Sequence, residues 1–168
     1  MAEAASPIRP ARPEDVPDVL RLIRDLATYE REPDAVEATE DDLQRWLFGA
    51  DPVASVLVAE EVPGGRVVGM ALWFRTYSTW TGQPGIYLED LYVEPGQRGS
   101  GHGRALLVAL ARIAVERGYR RVDWAVLDWN APSIAFYESL GATPLTEWET
   151  YRLTGSALAE LAGAAPGA

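Results

Sequence analysis

The sequence contains no cysteine, which excludes disulfides, thiolate metal sites and a cysteine nucleophile. It contains one histidine, His102. A histidine-rich zinc site therefore has too few ligands, and a Ser-His-Asp triad would have to be built on that residue. No metal site is expected. No stretch approaches the roughly 20 continuous apolar residues of a membrane span. The start, "MAEAASPIRP", has no basic segment followed by an apolar core, so a cytoplasmic protein without a secretory signal is expected. Positive charge is scarce as well: 15 basic against 25 acidic side chains leave a net charge of −10. A field of that sign disfavours nucleic acid and anionic membranes as partners and favours small cations. What remains is 168 residues, 48% hydrophobic and 24% charged, the balance of a globular domain with one core.

Periodicity orders the chain as β α α β β β α β α β, a mixed α/β domain over residues 6–154 followed by an Ala/Gly-rich tail over 155–168 with at most a helical turn and a frayed end. "SPIRPAR" reads as a first strand that Pro10 confines to an edge. From Pro13, Val16, Val19, Leu20, Ile23 and Leu26 recur at helical spacing. Thr39 and Asp42 have the spacing of a capping box for a second helix that Gly49 stops. "VASVLVAEEV" and "RVVGMALWF" form a hairpin, a polar loop "RTYSTWTGQPG" follows, and "IYLEDLYVE" is the next strand. A helix after the glycine loop presents Leu106, Leu107, Leu110, Ile113 and Ala114 on one face and ends at Gly118. "YRRVDWAVL" is a strand, "NAPSIAFYESLG" a short helix opened by Asn130 and Pro132, and "EWETYRL" a last strand.

The segment "QRGSGHGRALL", residues 97–107, holds the densest glycine of the chain and turns at once into a helix. Bare backbone at a helix N-terminus suits phosphate. Neither common version fits. A P-loop needs a lysine that is not there, and a dinucleotide fingerprint needs glycine where Arg104 stands, in a loop after the first strand rather than the fourth.

The remaining pattern, Arg98-x-x-Gly101-x-Gly103 between a strand and a helix, resembles the loop with which the GNAT family of N-acetyltransferases cradles the pyrophosphate of acetyl-CoA. The bland alternative is a tight turn with glycines for sterics only. Three separated stretches, "IYLEDLYVEPGQRGSGHGRALL", "AVLDWNAPSIAFYESLGA" and "LRLIRDLATYE", resemble the diamine acetyltransferase branch, which includes spermidine/spermine and thialysine Nε-acetyltransferases. The resemblance implies a GNAT fold, a mostly antiparallel twisted sheet flanked by helices, and a homodimer.

It also implies roles. Backbone from Arg98 through Gly99, Ser100, Gly101, His102 and Gly103 to Arg104 grips acetyl-CoA, with the two arginines adding charge. His102 either touches phosphate or merely faces solvent. The backbone of Leu91, Tyr92 and Val93 pairs with the pantetheine arm, and an N–H there faces the thioester oxygen. Asn130, Ser133 and Phe136 belong to the same cofactor side, although Asn130 also suits a plain helix cap. Tyr137 matches the family's proton donor; a tyrosine is ordinarily protonated at neutral pH and can give its proton to a thiolate. Its alternative is a core tyrosine. By that resemblance Glu89 is expected to accept the amine's proton in a water-relayed step, with Glu89, Leu91 and Val93 on one face of the strand and Asp90 and Tyr92 on the other. Asp90 reads better as a strand-end carboxylate paired with an arginine. Tyr29, Glu30, Ser78, Trp124 and Glu149 match substrate-side positions, Glu30 otherwise being the acidic end of a surface helix. Trp80 is the tryptophan placed to wall a pocket.

The expected function is transfer of an acetyl group from acetyl-CoA to a small primary amine. The loop "TYSTW" places Ser78 where spermidine/spermine enzymes carry an aspartate, and with "VLDWN" it resembles the thialysine type. Polyamine acetylation, acetylation of protein amines and a silent acyl-CoA-binding module are the competing readings. Binding alone requires neither Tyr137 nor Glu89.

Overall fold

A computed structural model describes residues 7–163, which form two compact units divided after Ala125. The first unit is a five-stranded sheet with strands in sequence order, β1 (Ile8–Pro10), β2 (Ser55–Glu60), β3 (Val67–Ser78), β4 (Gln83–Val93) and β5 (Val122–Trp124). Neighbours pair antiparallel except β4 and β5, which are parallel. Pro10 lies on the edge strand, as its missing N–H requires.

Both faces of the sheet are covered, so its central strands read as unbroken apolar runs while still alternating. Val56, Val58 and Met70 enter a core with Val16, Val19, Leu20 and Leu22 of α1 (Val16–Tyr29) and with Leu43 and Leu47 of α2 (Glu40–Phe48). Leu57, Ala59, Ala71 and Trp73 point the other way, against Leu106, Leu110 and Ala114 of α3 (His102–Glu116). Those three fall at i, i+4 and i+8, one face of a helix. The capping box forms as the spacing predicts: the Asp42 N–H donates to Thr39 Oγ1 at 3.2 Å, and the Thr39 N–H donates to Asp42 Oδ2 at 3.0 Å.

Two expectations need correction here. The polar stretch after Phe74 is not a long loop: β3 runs to Ser78 and β4 starts at Gln83, because Thr76↔Gly85 and Tyr77↔Pro84 continue the ladder. Only Thr79–Gly82 turn. Strict alternation along β4 also fails at one point. Leu72 opposes Asp90 and Trp73 opposes Leu88, leaving Glu89 as the extra residue of a β-bulge. Leu88 and Leu91 consequently share the α3 face, which an unbroken strand forbids.

The second unit holds α4 (Ala131–Ser139) and α5 (Gly155–Gly163). Asn130 caps α4, accepting from the Ser133 N–H at 3.4 Å, and Pro132 sits in its first turn. The expected last strand "EWETYRL" is not one: residues 147–153 pair with no strand among the described residues, and Trp148 and Tyr151 are exposed. Alternation alone does not make a strand where no neighbouring strand continues the ladder. The tail makes two helical turns rather than one, and its expected frayed end, past residue 163, lies outside the described residues.

Candidate active site

β4 supplies the site with a free backbone edge. On one side it pairs with β3 along its length, but on the other its parallel ladder with β5 covers only Ile86–Leu88. From Glu89 to Val93 no strand takes the second edge among the described residues. A row of peptide groups at a sheet edge is a template for an extended amide-bearing chain. Leu91 and Val93 turn their side chains to the α3 core and Tyr92 turns to the α1 core, so packing fixes this edge from both faces.

The glycine loop follows. A 3-10 turn over Pro95–Gln97 leads to Gly99 and Gly101, with φ of 81° and 91°, a region that L side chains rarely adopt. Gly101 is the N-cap of α3 and has no side chain to cap it. The N–H groups of His102, Gly103 and Arg104 in the first turn therefore have no acceptor within the helix. An uncapped helix start beside a bare loop and a free strand edge fits the pyrophosphate and pantetheine of a coenzyme A thioester.

The side chains of the loop are placed differently from one another. His102 is 8% exposed and does not face solvent. Arg98 folds back on the protein: its Nε donates to the Val93 carbonyl at 3.0 Å, and its guanidinium lies 4.8 Å from the Tyr29 ring and 5.4 Å from the Tyr92 ring. Ser100 Oγ donates to the Gln97 carbonyl at 2.5 Å. Arg104 projects outward and, with Arg112, Ile8 and Val108, lines a depression of about 450 Å³.

Carboxylates gather around the bulge. Glu30 is the C-cap of α1 and half-buried, and burial raises its pKa. Glu89 is exposed. Asp90 is half-buried, and its pKa is raised to about 6 by burial first, then by Glu89 and Glu30. The arginine expected to pair with Asp90 is not there: no hydrogen bond or ion pair reaches its carboxylate among the described residues. Sequence reasoning missed this residue. Two adjacent acids in a buried strand were the available signal, but the bulge that separates their environments has no signature in "YLED".

Of the remaining substrate-side candidates, Tyr29 packs on the α1 core, and Trp124 ends β5 and packs on the α3 core. Ser78 is buried, its hydroxyl accepting from the Thr81 N–H at 3.3 Å in the β3–β4 turn. Trp80, at the tip of that turn, is 86% exposed. In the second unit, Ser133, Phe136, Tyr137 and Leu140 are all half-buried, the single face their spacing predicts. The Phe136 and Tyr137 rings lie 5.5 Å apart, and the Tyr151 hydroxyl donates to Glu149 at 3.4 Å. The described residues contain no cluster able to hold a metal and no helix long and apolar enough to cross a membrane.

The model of the acetyltransferase (GNAT) family matches residues 17–142. The chain belongs to the GNAT family. It is 42% identical over 165 residues to a thialysine N-epsilon-acetyltransferase of Sus scrofa, covering 93% of this chain and 96% of that one. An L-ornithine N5-acetyltransferase of Arabidopsis thaliana is 32% identical over 196 residues, covering 91% and 86%. Among solved structures, an integron cassette protein from V. cholerae superimposes with a TM-score of 0.78 at 29% identity, over 94% of this chain and 97% of that one. Like its family, this GNAT protein is an acetyl-CoA-dependent N-acetyltransferase.

Proposed function

We propose that this enzyme acetylates the side-chain amine of a small cationic acceptor, a thialysine- or lysine-like amino acid or a diamine, by direct transfer from acetyl-CoA. The observation that carries this reading is the group Glu30, Glu89 and Asp90. Glu89 and Glu30 act electrostatically on Asp90, and no arginine pairs with Asp90 among the described residues. Carboxylates left open beside a thioester-sized backbone edge attract an ammonium group. The thialysine and ornithine enzymes similar to this chain act on amino acids with a side-chain amine, in keeping with that preference.

In this reading acetyl-CoA supplies the acetyl group as a thioester. The loop from Arg98 to Arg104 and the Leu91–Val93 edge hold it, and the family resemblance adds Asn130, Ser133 and Phe136 to the cofactor residues. An N–H of β4 stabilises the charge on the thioester oxygen. By the family resemblance, Tyr29, Glu30, Trp124 and Glu149 are substrate residues, the carboxylate group that includes Glu89 takes the amine's proton, and Tyr137 protonates the departing sulfur. Tyr137→Phe should lower kcat about 10²-fold while leaving acetyl-CoA affinity unchanged in calorimetry. Near-normal turnover removes Tyr137 from the reaction.

A turnover screen over thialysine, ornithine, spermidine, aminoglycosides and peptides tests the acceptor. The chain has no lysine, all 15 of its cationic side chains being arginine, so no side-chain amine of the enzyme competes for acetyl groups. Thialysine-like amino acids should give the highest kcat/KM. The second reading, a polyamine acetyltransferase, is favoured by the net charge of −10, which attracts polycations over long range. Ser78 separates the two. An aspartate there keeps the bond from the Thr81 N–H and adds a charge that draws a distant ammonium and repels an α-carboxylate. Ser78→Asp should move the spermidine-to-thialysine ratio about tenfold toward spermidine, the equivalent of about 1.4 kcal/mol. A wild-type preference for spermidine at physiological salt makes the polyamine reading the correct one.

We also infer a cytoplasmic homodimer that binds neither nucleic acid nor membrane. The apolar side chains Leu145, Trp148 and Tyr151, exposed in one stretch, support self-association. Sedimentation equilibrium at micromolar concentration should return twice the 18.4 kDa chain mass.

A further inference from the structure

Arg98 opens the glycine loop, yet its side chain leaves the loop and returns to the sheet. Its Nε donates to the Val93 carbonyl at 3.0 Å, and its guanidinium carbon lies 4.8 Å from the Tyr29 ring centre and 5.4 Å from that of Tyr92. The direction of that carbonyl follows from the ladder. Val93 opposes Gly69, and the next residue, Glu94, donates its N–H to the Val68 carbonyl at 2.9 Å. In an antiparallel pair, the residue beside a bonded one turns its own N–H and C=O away from the partner strand. The Val93 carbonyl therefore points out from the free edge of β4, the edge suited to the thioester arm. Arg98 closes that edge at its loop end.

The two rings belong to different parts of the site. Tyr92 lies on β4 within the thioester edge and is buried in the α1 core. Tyr29 is the last residue of α1, next to Glu30, and matches a position on the amine side. One planar cation thus joins the cofactor loop, the end of the cofactor edge and the helix end that faces the amine. A guanidinium suits this task, since its flat face lies on an aromatic ring while the N–H groups at its rim donate hydrogen bonds. Among the described residues no carboxylate pairs with Arg98, so the rings and the carbonyl are what hold it. The outward projection expected of a phosphate contact is found in Arg104 instead.

We propose that Arg98 is a positioning residue that couples the two substrates: by bridging the loop and the Val93 carbonyl to Tyr29, it makes acetyl-CoA and the amine bind more tightly together than apart. The proposal rests on the amine-acetylating function given above. The backbone of the loop remains the part that meets the cofactor. A cofactor seated on the loop and the edge fixes the Arg98 backbone and the Val93 carbonyl, and with them the plane on which the Tyr29 ring lies. An amine packed against the end of α1 fixes Tyr29 and steadies the loop in turn. Such coupling is reciprocal, each ligand raising the affinity of the other by the same factor. Arg98 is exposed, and ring contacts of an exposed cation set that factor at about fivefold.

Calorimetry of thialysine binding with and without coenzyme A, and of coenzyme A binding with and without thialysine, measures the coupling directly. Wild type should bind each ligand about fivefold more tightly in the presence of the other. Arg98→Lys keeps the charge but loses the flat face and the fork of donors, so it should lose the coupling, as should Arg98→Met. Tyr29→Phe keeps the ring and should retain the coupling, whereas Tyr29→Leu should lose it. Combining Arg98→Met with Tyr29→Leu should remove no more than either change alone. A role through charge alone gives the opposite pattern: Arg98→Lys couples like wild type, and Arg98→Met weakens coenzyme A binding with a shallower salt dependence. That pattern overturns the proposal, as do additive losses in the double variant or two ligands that bind wild type independently. Should the Arg98 variants fail to fold, Tyr29→Leu against Tyr29→Phe decides alone, since equal coupling in the two overturns the proposal and a loss only in Tyr29→Leu supports it. Failure of the amine reading looks different: wild type then binds coenzyme A in calorimetry yet neither binds nor acetylates any of the amines.

Discussion

The sheet of the first unit holds two groups of acids, and they are treated in opposite ways. At the edge strand, Arg9 reaches both Asp15 and Glu60. Its Nη1 and Nη2 donate to Asp15 at 2.6 and 3.0 Å, and its Nε donates to Glu60 at 2.6 Å. Backbone donors add to the arginine: the Arg12 N–H donates to Asp15 and the Gly64 N–H to Glu60. These bonds hold both carboxyls below the usual carboxylate range, the arginine leading for Asp15 and the Gly64 N–H for Glu60. Around the β4 bulge, Glu30, Glu89 and Asp90 have no such cation, and Asp90 is pushed up to about 6. One group fastens a strand. The other is left open at a cost the fold has to carry, and the difference between them separates structural from functional charge better than acidity itself does.

The largest expected effect breaks the fastened group. Arg9→Ala removes one cation from two carboxylates that are each 8% exposed, leaving both buried and unpaired. The loss should be about 3 kcal/mol in chemical denaturation at pH 7, discounted from the usual cost of breaking a buried pair because Arg9 is itself 21% exposed. Asp15 and Glu60 have lowered folded pKa values, so their contribution is present above the unfolded values and is lost as pH falls through the folded ones. Arg9→Ala and wild type should therefore converge in acid. A variant with wild-type stability at pH 7 would show that the pairing holds nothing together.

The open group should respond with the opposite sign. Asp90 has a folded pKa of about 6 against an ordinary 3.8. A raised value means that the stabilising, protonated form is fully present below the unfolded pKa and is lost as pH rises through the folded one. Asp90→Asn removes a charge the fold does not favour, so it should stabilise the protein by about 1–2 kcal/mol at pH 8. That figure is reduced from the roughly 3 kcal/mol of the full shift because the group is only half-buried. The gain should disappear near pH 4. A destabilised Asp90→Asn at pH 8 would place Asp90 with the fastened group.

How much of this was legible in the sequence depends on the range of the forces involved. The helices, the Thr39–Asp42 cap, the edge position of Pro10 and the glycine loop follow from local spacing and local backbone geometry, and the structure carries them all. The long β3–β4 hairpin was missed because polar residues such as Thr76 and Tyr77 join a strand only when a partner continues the ladder. The bulge at Glu89 was missed for the same reason, as register belongs to a pair of strands. His102 reads as a surface residue until packing buries it, and the "EWETYRL" segment alternates like a strand without a partner to pair with. Burial and pairing decide whether a carboxylate is fastened or open, and neither is a local property.

Salt gives the smallest effect and the finest test of the contrast. Screening reaches about 10 Å at 0.1 M and about 3 Å at 1 M ionic strength. The Arg9 contacts, at 2.6 to 3.0 Å and mostly buried, lie inside the shorter of these lengths, so the melting temperature should barely move on that account. An amine approaching Glu89 from solvent feels the carboxylates and the net charge of −10 over a longer path. Raising sodium chloride from 0.05 to 0.5 M, concentrations of the experimenter's choosing and roughly a threefold change in screening length, should raise the KM of thialysine about threefold with kcat unchanged. For spermidine the rise should be larger, since a polycation loses more long-range attraction than an amino acid carrying its own carboxylate. Equal rises for the two amines would mean that the net charge takes no part in choosing between them. An unchanged KM for both would mean that the acids around the bulge are shielded from the approaching substrate and act only after it has docked.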